Sequence, residues 1–74
     1  MTATLNGKKL RTRRREKALT QEKLAEQSGL SDRYIRSLES EAAQPSASVL
    51  CRISRALEVP MDELMTAADE PDES

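Results

Sequence analysis

The sequence predicts an all-α fold, a compact domain of five short helices. Three observations lead there. β-Branched and aromatic residues are sparse, with one Tyr and no Phe or Trp, and no stretch alternates apolar and polar side chains with period two. Apolar residues recur instead at helical spacing, in short segments. Between those segments stand helix-start and helix-stop residues: Asn6-Gly7, Thr20, Gly29, Ser31, Ser46 and Pro60.

The first helix follows Asn6-Gly7 and is expected over residues 8–18, with Leu10 pointing inward. Thr20 caps a second over residues 21–27, with Glu22 in its positive first turn and Leu24 facing the core. Ser31 caps a third that runs to about residue 40, with Asp32 in the first turn and Ile35 and Leu38 on one face. After the connector at residues 42–45, Ser46 caps a fourth helix to about residue 58. Its Leu50, Ile53 and Leu57 fall at i, i+3 and i+7, widened by Val49 and Ala56. Pro60 suits the first position of a short fifth helix to about residue 66. Leu19, Leu30, Val59 and Leu64 sit at segment edges, where they close the ends of the core. Residues 1–66 are expected to form the domain. Residues 67–74, with four acids and Pro71, read as a disordered acidic tail.

Composition excludes several functions. A chain of 74 residues has room for one domain. Without His, a His-based triad or a His general base is impossible. One Cys, Cys51, gives neither an internal disulfide nor, without His, a zinc site. No metal and no cofactor is expected. No apolar run approaches the ~20 residues of a membrane span, and the polar first six residues are no signal peptide. A cytoplasmic, nucleoid-associated protein is expected. The net charge of −1 hides a strong asymmetry. Residues 1–36 hold ten basic and four acidic side chains, and residues 37–74 hold two basic and nine acidic ones. Such asymmetry points to nucleic-acid or membrane contact, although a charge run is often only a solvated helix face.

Residues 21–40 carry the motif. Two helices joined by a turn centred on Gly29 make a helix-turn-helix. Ala25 permits close crossing of the helices, and Gly29 allows the positive φ the turn requires. The stretch Arg14-Arg15-Glu16-Lys17-Ala18-Leu19-Thr20-Gln21-Glu22-Lys23-Leu24-Ala25 resembles the signature of the Xre/Cro family, the lambda-repressor type. Gly29-Leu30-Ser31, Tyr34-Ile35, Leu38-Glu39, Pro45-Ser46, Leu50, Ile53, Ala56-Leu57, Val59 and Asp62-Glu63-Leu64 continue the likeness in register. The resemblance implies a five-helix lambda-repressor-like domain, a homodimer in most members, and transcriptional regulation at a palindromic operator on double-stranded DNA. No sensor segment follows residue 66, so no small-molecule ligand is expected.

The third helix presents Asp32, Arg33, Arg36 and Ser37 opposite its apolar face, the positions that reach base edges in the major groove. Arg33 is the best base reader, since an Arg bonds guanine O6 and N7 together for roughly 1–3 kcal/mol of discrimination. Arg36 does the same or binds phosphate, and Ser37 bonds either weakly. Asp32 accepts from cytosine N4, or stabilises the first turn, or holds Arg36 four residues on. Gln21 opens the second helix, where the free N–H groups and helix dipole favour a phosphate. The resemblance gives that position the same role and makes it a buttress of the third helix. Tyr34 contacts phosphate or a thymine methyl, or covers the core edge. The resemblance also implies a structural ion pair between Arg14 and Glu39.

Arg11, Arg13 and Arg15 surround the first helix too widely to share one surface, and Arg11 is the one assigned to phosphate. Val49, Cys51 and Val59 are the expected dimer contact, with Cys51 acting as a small hydrophobe. The chain departs from the family pattern in four places. Glu41 and Glu58 stand where Gly is frequent, Arg13 replaces an apolar residue, and the connector Ala42-Ala43-Gln44 lacks the usual phosphate-gripping Lys or Arg. An antitoxin or other protein-interaction module on the same fold is the alternative, with the acidic second half meeting a basic partner. Nothing in the composition supports an enzyme.

Overall fold

The computed structural model of the chain describes residues 3–67. In chain order it contains strand β1 (Ala3–Leu5), helices α1 (Gly7–Glu16), α2 (Gln21–Ser28), α3 (Asp32–Glu39) and α4 (Ala47–Leu57), a 3₁₀ turn (Met61–Leu64) and strand β2 (Met65–Ala67). The helix starts lie where side-chain chemistry put them. Thr20, Ser31 and Ser46 each accept a hydrogen bond from the backbone N–H three residues on. Asn6 does the same for α1, accepting from the N–H groups of Lys8 and Lys9.

Two expectations are corrected. There are four α-helices among the described residues, not five. The segment after Pro60 makes a single 3₁₀ turn of four residues with no side-chain cap, and Met65 leaves it in extended conformation. It leaves because its backbone is drawn into a ribbon. β1 and β2 pair antiparallel, with Leu5 opposite Met65, Thr4 opposite Thr66 and Ala3 opposite Ala67. Three-residue strands are too short to show a period of two, and their partners lie some sixty positions apart. Asn6 fastens the junction: its N–H donates to the Leu64 carbonyl (2.8 Å) and its amide to Thr66 Oγ1 (2.6 Å). The ribbon reaches Ala67, one residue beyond the expected domain boundary. The rest of the acidic tail, residues 68–74, lies outside the described residues.

The core joins Leu10, Leu24, Ala25, Ile35, Leu38, Leu50, Ile53, Leu57 and Leu64 from every helical element, and Leu5 from the ribbon closes one end. All four α-helices end in the same way. The N–H of residues 19, 30, 42 and 59 reaches back five residues to a helix carbonyl, behind a residue in left-handed conformation. Gly29 is the one glycine at these positions (φ 75°); Ala18 (58°), Glu41 (64°) and Glu58 (59°) fill the others. Leu19, Leu30 and Val59 follow directly and pack onto the core. Gly7 is constrained differently: a Cβ there would overlap the Glu39 carbonyl oxygen, so the start of α1 and the end of α3 are in backbone contact.

Candidate nucleic-acid interface

Helices α2 and α3 meet around Ala25, 3 % exposed, and Gly29. Ser28 stays buried because its hydroxyl donates to the Leu24 carbonyl (2.7 Å). Helix α3 turns Ile35, Leu38 and Glu39 inward. Its other face carries Arg33 and Arg36, both exposed, with Asp32 and Ser37 half-buried beside them. Four residues called out for bases thus share one surface.

Behind that surface lies a polar network. The Glu39 side chain, 1 % exposed, accepts from Arg14 Nε at Oε2 (2.6 Å) and from Arg14 Nη2 at Oε1 (3.2 Å). Oε1 also accepts from Gln21 Nε2 (3.1 Å) and Arg11 Nε (3.4 Å). Arg14 spends its remaining nitrogen on the Leu19 carbonyl (2.8 Å). Burial alone would raise the Glu39 carboxyl, but the hydrogen bonds from Arg14 and Gln21 outweigh it and hold the group below its ordinary range. A buried pair with its polar atoms satisfied in this way is rigid rather than costly.

The network continues to the surface through Gln21. Its Oε1 accepts from Arg36 Nε (3.0 Å), and Arg36 Nη2 stands 3.7 Å from Asp32 Oδ2. One amide therefore ties the outward face of α3 to the α1–α3 ion pair. The resemblance paired Arg14 with Glu39 and made Gln21 a buttress of the third helix; the hydrogen bond between Gln21 and Arg36 was not foreseen. The i, i+4 spacing of Asp32 and Arg36 was the readable part of it.

The remaining candidates are dispersed. No ion pair involves Arg33 among the described residues. Ser37 Oγ donates to the Arg33 carbonyl (3.2 Å), and Tyr34 packs against the core edge. Arg11 sits on the Glu39 side of α1 with 45 % of its side chain exposed. Val49 and Cys51 do not share one face of α4. Two positions apart on a helix means about 200° of rotation, so they flank the core stripe of α4 on opposite sides. Both are half-buried, as is Val59. Met61, 41 % exposed beyond Val59, is the apolar surface residue that sequence reasoning missed. Its place just after Pro60 was the available signal. Glu41 also has a partner: its Oε2 accepts from the Gly7 N–H (2.9 Å), closing the first turn of α1.

Comparison with known proteins decides the family. The helix-turn-helix family model HTH_3 matches residues 10–64. The chain belongs to this family. It is a DNA-binding transcriptional regulator of the Xre and lambda-repressor type, not an enzyme. It is 44 % identical over 57 residues to the uncharacterized HTH-type transcriptional regulator y4dJ of Sinorhizobium fredii, a match covering 77 % of this chain and 74 % of that one. It is similar to the restriction-modification controller protein C.AhdI of Aeromonas hydrophila, with TM-score 0.76, 34 % identity, and 78 % and 88 % of the two chains covered. The P22 c2 repressor, solved in complex with a synthetic operator, gives TM-score 0.76 and 30 % identity over 81 % of this chain and 91 % of that one. No helix among the described residues of the HTH_3 chain is long and apolar enough to cross a membrane.

Proposed function

We propose that this regulator acts as a homodimer on a palindromic operator, with α3 of each copy in a major groove and the two helices about 34 Å apart. The observation that carries this reading is the outward face of α3. Arg33 is exposed there with no ion-pair partner among the described residues, on a helix held from behind by the Glu39 network. Both edges of its guanidinium are available to a guanine. Arg36 is engaged through Nε with Gln21, so it meets DNA as a positioned cation. Ser37 adds a weak polar contact, and Asp32 serves mainly to orient Arg36. Gln21, Tyr34 and Arg11 contact phosphates and set the register.

The dimer forms through the carboxy-terminal part of the fold, with Val59 and exposed Met61 at its centre and Val49 or Cys51 at its margin. The structure of the P22 c2 repressor with a synthetic operator supports an operator-bound mode. Likeness to a restriction-modification controller protein supports a regulatory role, for which control by operator occupancy at the nucleoid, without a small-molecule signal, is the simplest mechanism. Selection of bound duplexes from a random pool tests the reading. A palindromic consensus with a guanine in each half-site is expected. A pool that shows no enrichment at low salt would sink it.

A further inference from the structure

We propose that Lys8, Arg11 and Arg15 form a rail along one flank of α1 that binds the DNA backbone beside the recognition helix. The inference rests on the DNA-binding reading above and adds a surface to it.

Helix α1 and its C-cap carry seven basic residues, and the fold sorts them by direction. Arg14 points into the core. Lys9, Arg13 and Lys17 turn toward the carboxy-terminal segment. Lys9 Nζ donates to the Met65 carbonyl (2.9 Å), Arg13 Nε lies 3.3 Å from Glu63, and Lys17 Nζ lies 3.7 Å from Glu58. Lys8, Arg11 and Arg15 fall at i, i+3 and i+7 on the other flank. Groups of residues 58–65 therefore engage one flank, and on the other only Arg11 has an acidic partner, Glu39, among the described residues.

Two acids border the free flank, and each has a fixed partner. Glu39 is buried against Arg14, and the Glu41 carboxylate is held by the Gly7 N–H at the start of the helix. Lys8 and Arg15 are exposed, and no carboxylate pairs with them among the described residues.

The flank is continuous with the DNA-binding face. Arg11 Nε and Gln21 Nε2 approach the same oxygen, Glu39 Oε1, at 3.4 and 3.1 Å. Gln21 in turn holds Arg36. The middle of the rail thus lies beside the first turn of α2. From Lys8 to Arg15 it runs about 10 Å along the helix axis. Projected on a duplex axis, that length spans roughly three phosphates of one strand. A row of cations of that length, with Lys8 and Arg15 unpaired among the described residues and Arg11 only sharing Glu39 with Arg14, fits a phosphate backbone next to a base-reading helix. A row that was merely solvated would release no counterions on binding.

The salt dependence of binding by the full chain separates the two. Binding is measured on a selected duplex and on a scrambled one. For Lys8→Gln/Arg15→Gln, which removes two cations from each copy of the dimer, the slope of log K against log salt should fall by about 3.6. Both duplexes should be bound more weakly by the same factor, about tenfold or more at 0.1 M salt. The charge-matched control Arg13→Gln/Lys17→Gln should keep the wild-type slope. An unchanged slope in the first variant, or an equal fall in both, would overturn the rail. Absence of any binding by the wild-type chain would instead overturn the DNA-binding reading beneath it.

Discussion

The two flanks of α1 carry the same residue types and meet opposite surroundings. On one, Lys9, Arg13 and Lys17 are matched to a carbonyl and two carboxylates of the last third of the chain. On the other, Lys8 and Arg15 face solvent, and Arg11 shares a buried acid with Arg14. Between them Arg14 is interior, 8 % exposed. A rotation of about 100° per residue is enough to give neighbouring arginines three different roles. The contrast teaches that the near-zero net charge is a sum over surfaces that do not see each other. The basic first half is consumed in part by the acidic second half, and Lys8 and Arg15 remain unpaired among the described residues on the flank of α1 that Arg11 joins to Glu39.

The interior cation offers the largest test. Glu39→Ala leaves Arg14 buried without its partner and should cost about 3–5 kcal/mol in urea unfolding. Replacing both, as Arg14→Met/Glu39→Leu, should recover most of that. A double variant as unstable as the single would show that the pair is not the unit. The same carboxyl predicts a pH dependence. Its folded pKa lies below the unfolded value of about 4.3, so its stabilisation is present above that pH and is lost as pH falls through the folded pKa. Glu39→Gln should flatten this acid limb, and an unaltered limb would assign it to other carboxylates.

Next in size is the backbone contact that lets α3 reach α1. Gly7→Ala sets a methyl against the Glu39 carbonyl and should cost about 1–3 kcal/mol in the same measurement. Wild-type stability would mean that the two helices slide apart freely.

Smaller effects distinguish the left-handed helix ends. Glu58→Gly relieves a strained φ at an exposed position and should gain about 0.5–1 kcal/mol in thermal unfolding. Glu41→Gly relieves the same strain but loses the bond to the Gly7 N–H, so its gain should be smaller. Equal gains would show that the Glu41 cap contributes nothing. Smallest of all, Lys17→Ala removes a pair whose acid is 79 % exposed, and it should change stability by no more than about 0.5 kcal/mol. A larger loss would make the carboxy-terminal flank of α1 a structural element rather than a neutralised one.

Much of the fold was legible along the chain. Thr20, Ser31 and Ser46 announced three helix starts, because a cap bonds only three residues away. The spacing of Leu50, Ile53 and Leu57 announced the buried face of α4 for the same local reason. Arg14 with Glu39 was readable only through family resemblance, since twenty-five positions separate them. The residues expected at a dimer contact show the limit most clearly: Val49 and Cys51 stand two positions apart in sequence and lie on opposite flanks of one helix.

The sequence by itself determined the four helices, their caps, the apolar core and the helix-turn-helix, because each depends on residues within about one or two helical turns of each other. Tertiary structure alone decided the rest. It made the last segment a 3₁₀ turn and a strand by offering Leu5 as a partner. It joined Gln21 to Arg36 and Glu39, and it divided the cations of α1 between an acidic neighbour and open solvent. These outcomes depend on which groups meet after the core has closed, and a hydrogen bond or ion pair between distant residues leaves no period in the chain.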